Sequence, residues 1–153
     1  MIKKKLTIAE LIVLFRLLNS AKCDKMQYKE RYALTKVLLA VQRKLRDYEE
    51  LERETAKRLR PECYDNVAPL MAELAGMSEA ERAEAVKSPK YAEAAKAHSE
   101  YVAAVDECLS SERTREVEVE VEKMSDGWPE RLFDSNPEWT VGQMAVVVDF
   151  IED

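Results

Sequence analysis

Glycine is almost missing from this chain: three in 153 residues, with five prolines and 7% aromatics. So little glycine argues against a fold built on tight turns and left-handed backbone. What remains is rich in Ala, Glu, Leu and Lys/Arg, a composition that favours helix. Cysteine is also scarce. Cys23, Cys63 and Cys108 are odd in number and far apart, no CxxC pair exists, and His98 is the single histidine. That pattern argues against a disulfide framework or a zinc site, and a reducing compartment is the default. Long apolar runs are missing too. Lys3–Lys5 and Leu11–Phe15 imitate the start of a secretory signal, but Glu10 and Arg16 interrupt the run well short of a membrane span. The segment reads as mature protein in the cytoplasm. No GxSxG, P-loop, GxGxxG, HExxH or calcium loop is present. No cofactor and no metal is expected, and no catalytic residue stands out. A carboxylate-only site stays open as an alternative, because Asp and Glu are abundant.

The strongest positive signal is the stretch Met26–Leu59. Leu34, Leu38, Val41, Leu45 and Tyr48 recur in steps of four and three, which stacks them on one face of a helix, and Val37 and Leu51 widen the stripe. Neither Gly nor Pro interrupts it. Arg46/Glu50, Glu49/Arg53 and Glu54/Arg58 are opposite charges at i,i+4, each worth roughly 0.2–0.5 kcal/mol. The spacing predicts one helix on the order of 50 Å long. Its stripe thins to Leu51, Thr55 and Leu59, an end that either projects or meets a second chain. An ordinary hairpin arm and an oligomerising arm are the two readings. In the second, Leu51, Thr55 and Leu59 are the interaction residues.

At 153 residues the chain is expected to form a single domain, with residues about 25–60 as a possible extension. Net charge is −6. Residues 1–60 hold 16 Lys/Arg against 8 Asp/Glu, and the rest hold 8 against 22. Halves of opposite sign either fold on each other, associate head to tail, or bind a charged polymer. The cations at Arg43–Arg60 are interleaved with acids, which argues against direct nucleic-acid binding.

Around the long helix, local signals place the other elements. Thr7-Ile8-Ala9-Glu10 fits a capping box opening a helix to Asn19, and Asp24-Lys25-Met26-Gln27 a second box opening the long helix. A short loop between them makes the two an antiparallel hairpin, with Leu38, Val41 and Leu45 against Leu11, Leu14 and Leu18. Val67–Ala75 reads as a short helix with Gly76 as a left-handed cap. Ser78 starts another, and Ser88-Pro89 starts one running to about Ser110. Tyr91, Ala95, His98, Val102, Val105 and Leu109 form its stripe, with His98 as a hydrogen-bonded packing residue. Arg115–Lys123 then alternates strictly: Val117, Val119 and Val121 on one face, Glu116, Glu118, Glu120 and Glu122 on the other. This is a strand, and its partner is either Ile2–Leu6, with Lys3 and Lys5 turned toward the glutamates, or the same strand of a second subunit. The four glutamates are either a solvated face or an interaction surface. Trp128-Pro129 to Asp134–Pro137 suggests an irregular crossover, with Trp128 and Trp139 plugging the ends of a small core. Thr140-Val141-Gly142-Gln143 caps a last helix, Val141–Ile151, with Met144, Val147, Val148 and Ile151 inward.

The order Leu6-Thr7-Ile8-Ala9-Glu10-Leu11, Leu17-Leu18-Asn19, Tyr32-Ala33-Leu34-Thr35-Lys36 and a long charged helix resembles the opening of a family of small uncharacterised phage and prophage proteins. Val117–Val121 and the short helix after Trp139-Thr140 fall where that family has similar elements. The resemblance covers about the first 60 and last 40 residues. It implies a virus-derived origin, in the host cytoplasm or associated with the virion, and no particular activity. The expectation is a mainly helical α+β fold and a non-enzymatic interaction or assembly protein. Its partner would be a second copy (a homodimer) or another protein. The alternative is an acidic inhibitor or DNA mimic that offers its C-terminal half to a host nucleic-acid-binding protein.

Overall fold

A computed structural model describes residues 1–152 of the chain. The elements run β1 (Ile2–Thr7), α1 (Ile8–Asn19), α2 (Tyr28–Leu59), α3 (Tyr64–Ala75), α4 (Glu79–Ala85), α5 (Pro89–Arg113), β2 (Glu116–Val121), α6 (Trp128–Ser135) and α7 (Val141–Ile151). Seven helices and one two-stranded antiparallel sheet make this the mainly α fold that the composition favours. Two compact units are present. Met1–Glu49 with the segment from Glu112 onward forms the first, and Glu50–Ser111 forms the second.

In the first unit the sheet pairs the two halves of the charge pattern. β1 and β2 are antiparallel, with Lys3 opposite Glu120 and Lys5 opposite Glu118. Ile2, Val119 and Val121 are buried on the other face. The β1–β2 pairing therefore satisfies the backbone of the alternating strand within one chain. Thr7 ends β1 and caps α1, its Oγ1 accepting from the Glu10 N–H at 3.2 Å. α1 buries Ile8, Leu11, Leu14, Leu17 and Leu18, and its backbone comes close to β1 and α7.

The buried stripe of α2 in this unit is Leu34, Val37, Val41, Leu45 and Tyr48. Leu38 is only half-buried, so Val37 takes the inner position that the sequence reading gave to Leu38. The start of α2 also differs. Asp24 and Lys25 lie in a turn, and the helix opens at Tyr28. Its cap comes from Glu30, whose carboxylate accepts from the Gln27 N–H at 2.9 Å. The capping pair thus sits three residues further on than Asp24–Gln27.

The expected irregular crossover is instead a helix, α6, that buries Trp128, Leu132 and Ser135. Gly127 turns the chain into it at φ 78°, and Pro129 occupies the first turn, where a missing N–H costs nothing. Thr140 and Gln143 form the full capping box of α7, at 2.9 and 3.2 Å. Inward on α7 are Val147, Phe150 and Ile151; Met144 and Val148 are half-buried. Trp128 and Trp139 are both buried, as core plugs should be.

In the second unit, α3 begins at Tyr64, three residues earlier than the sequence suggests. Gly76 closes it in a right-handed conformation, φ −80°, and not as a left-handed cap. Its N–H reaches the Ala72 and Glu73 carbonyls, so no αL residue is needed. Ser78 caps α4 through the Glu81 N–H at 3.2 Å. α5 runs to Arg113 and buries Ala94 and Leu109, while Val102 is exposed. Tyr64 joins α3 to α5: its ring lies 4.8 Å from that of Tyr101, and its hydroxyl hydrogen-bonds His98 Nδ1 at 2.9 Å. His98 is thus a hydrogen-bonded packing residue.

Candidate functional site

The most perturbed ionisable group is Glu30, in the first turn of α2 and 1% exposed. Arg131 of α6 clamps it. Nε donates to Oε1 at 2.8 Å and to Oε2 at 2.9 Å, and Nη2 also bonds Oε1. Ser125 Oγ donates at 3.1 Å and the Gln27 N–H at 2.9 Å. The Arg131 hydrogen bonds, aided by Gln27 and Ser125, outweigh burial and pull the carboxyl down to about 2. Arg131 in turn donates to the Asp126 carbonyl at 2.7 Å. It also lies against Gly127, where a Cβ would sit 2.9 Å from Nη1 and displace the guanidinium, while the positive φ of 78° is what favours glycine there. This carboxylate is a fixed anion whose oxygens are already occupied. It is built to hold α2, α6 and the turn between β2 and α6 together.

Beside it is a second latch. Asn136, buried, accepts from the Lys22 N–H and donates to the Lys22 carbonyl, both at 2.8 Å, and donates to the Leu132 carbonyl at 2.9 Å. Ser135 Oγ accepts from the Lys25 N–H at 2.9 Å. The connection between α1 and α2 is thereby fixed to the end of α6. Sequence reasoning missed all of these residues. Gln27-x-x-Glu30 was the only local signal available, and the partners stand about a hundred positions away.

The four glutamates do share one exposed face, as the alternation requires. Lysines of the same unit meet them: Lys3 Nζ lies 3.8 Å from Glu118 and Lys36 Nζ 3.1 Å from Glu122. Glu116 continues the face opposite Thr7. Among the described residues no group of His, Cys, Asp and Glu is placed to hold a metal ion.

Leu51, Thr55 and Leu59 do not form one exposed stripe. Leu51 is exposed, Leu59 half-buried and Thr55 buried. Within the second unit the Tyr101 hydroxyl bonds the carbonyl of the residue after Thr55, Ala56.

On α1 and α7, Val13 and Val146 are exposed side by side around two depressions. A shallow depression of about 560 Å³ is lined by Val13, Arg16, Leu17, Gln143 and Val146 among others. A second, of about 270 Å³, is lined by Leu6, Glu10, Val13, Val146 and Asp149 among others. Val13 and Val146 belong to both, so the two depressions are one continuous face. No helix among the described residues is long and apolar enough to cross a membrane. No protein-family model, curated protein or solved structure matches the chain.

Proposed function

We propose that this is a non-enzymatic, phage-type interaction or assembly protein that self-associates. The observation that supports it is the apolar side chains left in water on ordered helices. Val13 is 54% exposed and Val146 38%, and the two line the same depressions. A contiguous apolar face on a small folded chain is a common mark of a protein contact. The deep polar cluster, by contrast, has its hydrogen-bonding capacity filled from within the chain, so it offers no group to a substrate. The resemblance to phage and prophage proteins supports the origin. Sedimentation equilibrium from about 1 to 200 μM tests the reading, a range set by the affinity of small interfaces. A mass that rises toward the dimer is expected. A monomer throughout would overturn it.

A further inference from the structure

We propose that the α1/α7 face binds a second copy of this chain about a two-fold axis running across the two helices, so that α1 packs antiparallel on α1 of the partner copy. The inference rests on the self-association reading and says where and how it occurs.

The argument is one of charge order. Along α1, Glu10, Val13 and Arg16 are spaced by three and all exposed. They therefore lie near one another on one side of the helix, acid first, valine central, base last. α7 lies beside α1 in the opposite sense. Gln143 shares a depression with Arg16, and Asp149 shares one with Glu10, while Val146 meets Val13 in both. The face therefore has an apolar centre, an acidic end made by Glu10 and Asp149, and a basic end made by Arg16.

A homodimer contact is usually isologous, with the same patch on both copies. Two such stackings fit a pair of side-by-side helices. With the axis parallel to the helices, α1 would lie on α7 of the partner copy and each end would meet its own kind, Glu10 opposite Asp149 and Arg16 opposite Gln143. With the axis across the helices, Val13 faces Val13, Glu10 faces Arg16, and Arg16 faces Glu10. Asp149 then faces Gln143, an amide able to donate to it. Charge order selects the second arrangement. Surface charges add little raw affinity, but they fix register and reject the wrong one.

The face is small, about 9 Å along α1 from Glu10 to Arg16. It belongs at the weak end of specific interfaces, where dissociation constants are micromolar or higher. Sequence reading assigned the dimer contact to Leu51 and Leu59 because the end of α2 needed cover. Thr55 has that cover within the chain, and Val13 does not.

Charge swapping tests the arrangement. Sedimentation equilibrium over the same range is run on the native chain, on Glu10→Arg, on Arg16→Glu and on the double variant, each checked for a native melt by circular dichroism. The single variants set like charges opposite each other and should weaken dimerisation at least tenfold. The double variant restores an opposite pair at both positions and should return to within about threefold of the native chain. If the native chain dimerises and the single variants match it, the α1/α7 contact is wrong, and self-association proceeds through another surface. If the single variants weaken the dimer and the double variant does not recover, the across-helix register is wrong. A native chain that is monomeric throughout overturns this inference and the self-association reading together.

Discussion

Glu30 titrates far below an ordinary glutamate, about 2 against roughly 4.3 in an unfolded chain. Because its folded value is the depressed one, the stability it adds is fully present above the unfolded value. That stability is lost as pH falls through the folded value. Acid unfolding should therefore show a limb between roughly pH 5 and pH 2. Glu30→Gln should flatten that limb and lower the melting temperature at neutral pH, and an unchanged acid profile would mean that other carboxylates set it. Asn136→Ala should cost about 1–3 kcal/mol in urea unfolding, because it orphans the Lys22 N–H and carbonyl in a part-buried site. At this scale the sequence was legible only where partners are neighbours. Thr7, Ser78 and Thr140 each accept from the N–H three positions on, as read, and at Thr140 the residue three positions on also returns the bond of a full capping box. Glu30 and Arg131 are 101 positions apart, and no periodic pattern marks a pair of that kind.

Among the elements, the central helix was the easiest to read and its inner face the hardest to fix. Val37 and Leu38 are adjacent and both fit a stripe about 100° wide, so periodicity alone cannot choose between them. Burial chooses Val37. Leu45→Ala, at a fully buried position, should cost roughly 2–5 kcal/mol, and Leu38→Ala clearly less. A thermal melt of the two variants checks the order, and equal losses would mean that Leu38 is more enclosed than it looks. The sheet was legible because strict alternation has no helical counterpart. Its lysines opposite glutamates make a further expectation. Reversing Glu118 and Glu120 to Lys should lower stability by about 1 kcal/mol or less per opposed pair, and by less still at high salt, as exposed ion pairs do. Loss of stability that ignores salt would point to packing instead. Helix α6 was misread because Gly, Pro, Asp and Asn signal loops and helix ends alike. In eight residues there is too little apolar repeat to decide between them.

For the whole molecule, the chain forms two compact units. A boundary is usually sought where composition shifts toward Pro, Gly and polar residues. Here it falls between Glu49 and Glu50, and again between Ser111 and Glu112. The first point lies inside α2 and the second inside α5, where the sequence is most regular. Neither boundary therefore shows as a shift in composition.

Those two crossings also govern where the chain can be cut. A protease needs a stretch of backbone that it can draw out into an extended shape, and exposed loop tips usually supply it. Neither passage between the units offers one. Each is continuous helix, whose amides are engaged four residues back. Excising the second unit would demand local melting of α2 and α5 at once, so digestion should act elsewhere first. Under brief trypsin or Glu-C treatment, mass spectrometry should find early nicks in connections such as the one after Leu59 or the one after Val121. A stable fragment spanning Glu50–Ser111 should not accumulate. Its early release would show that α2 and α5 open near Glu49–Glu50 and Ser111–Glu112.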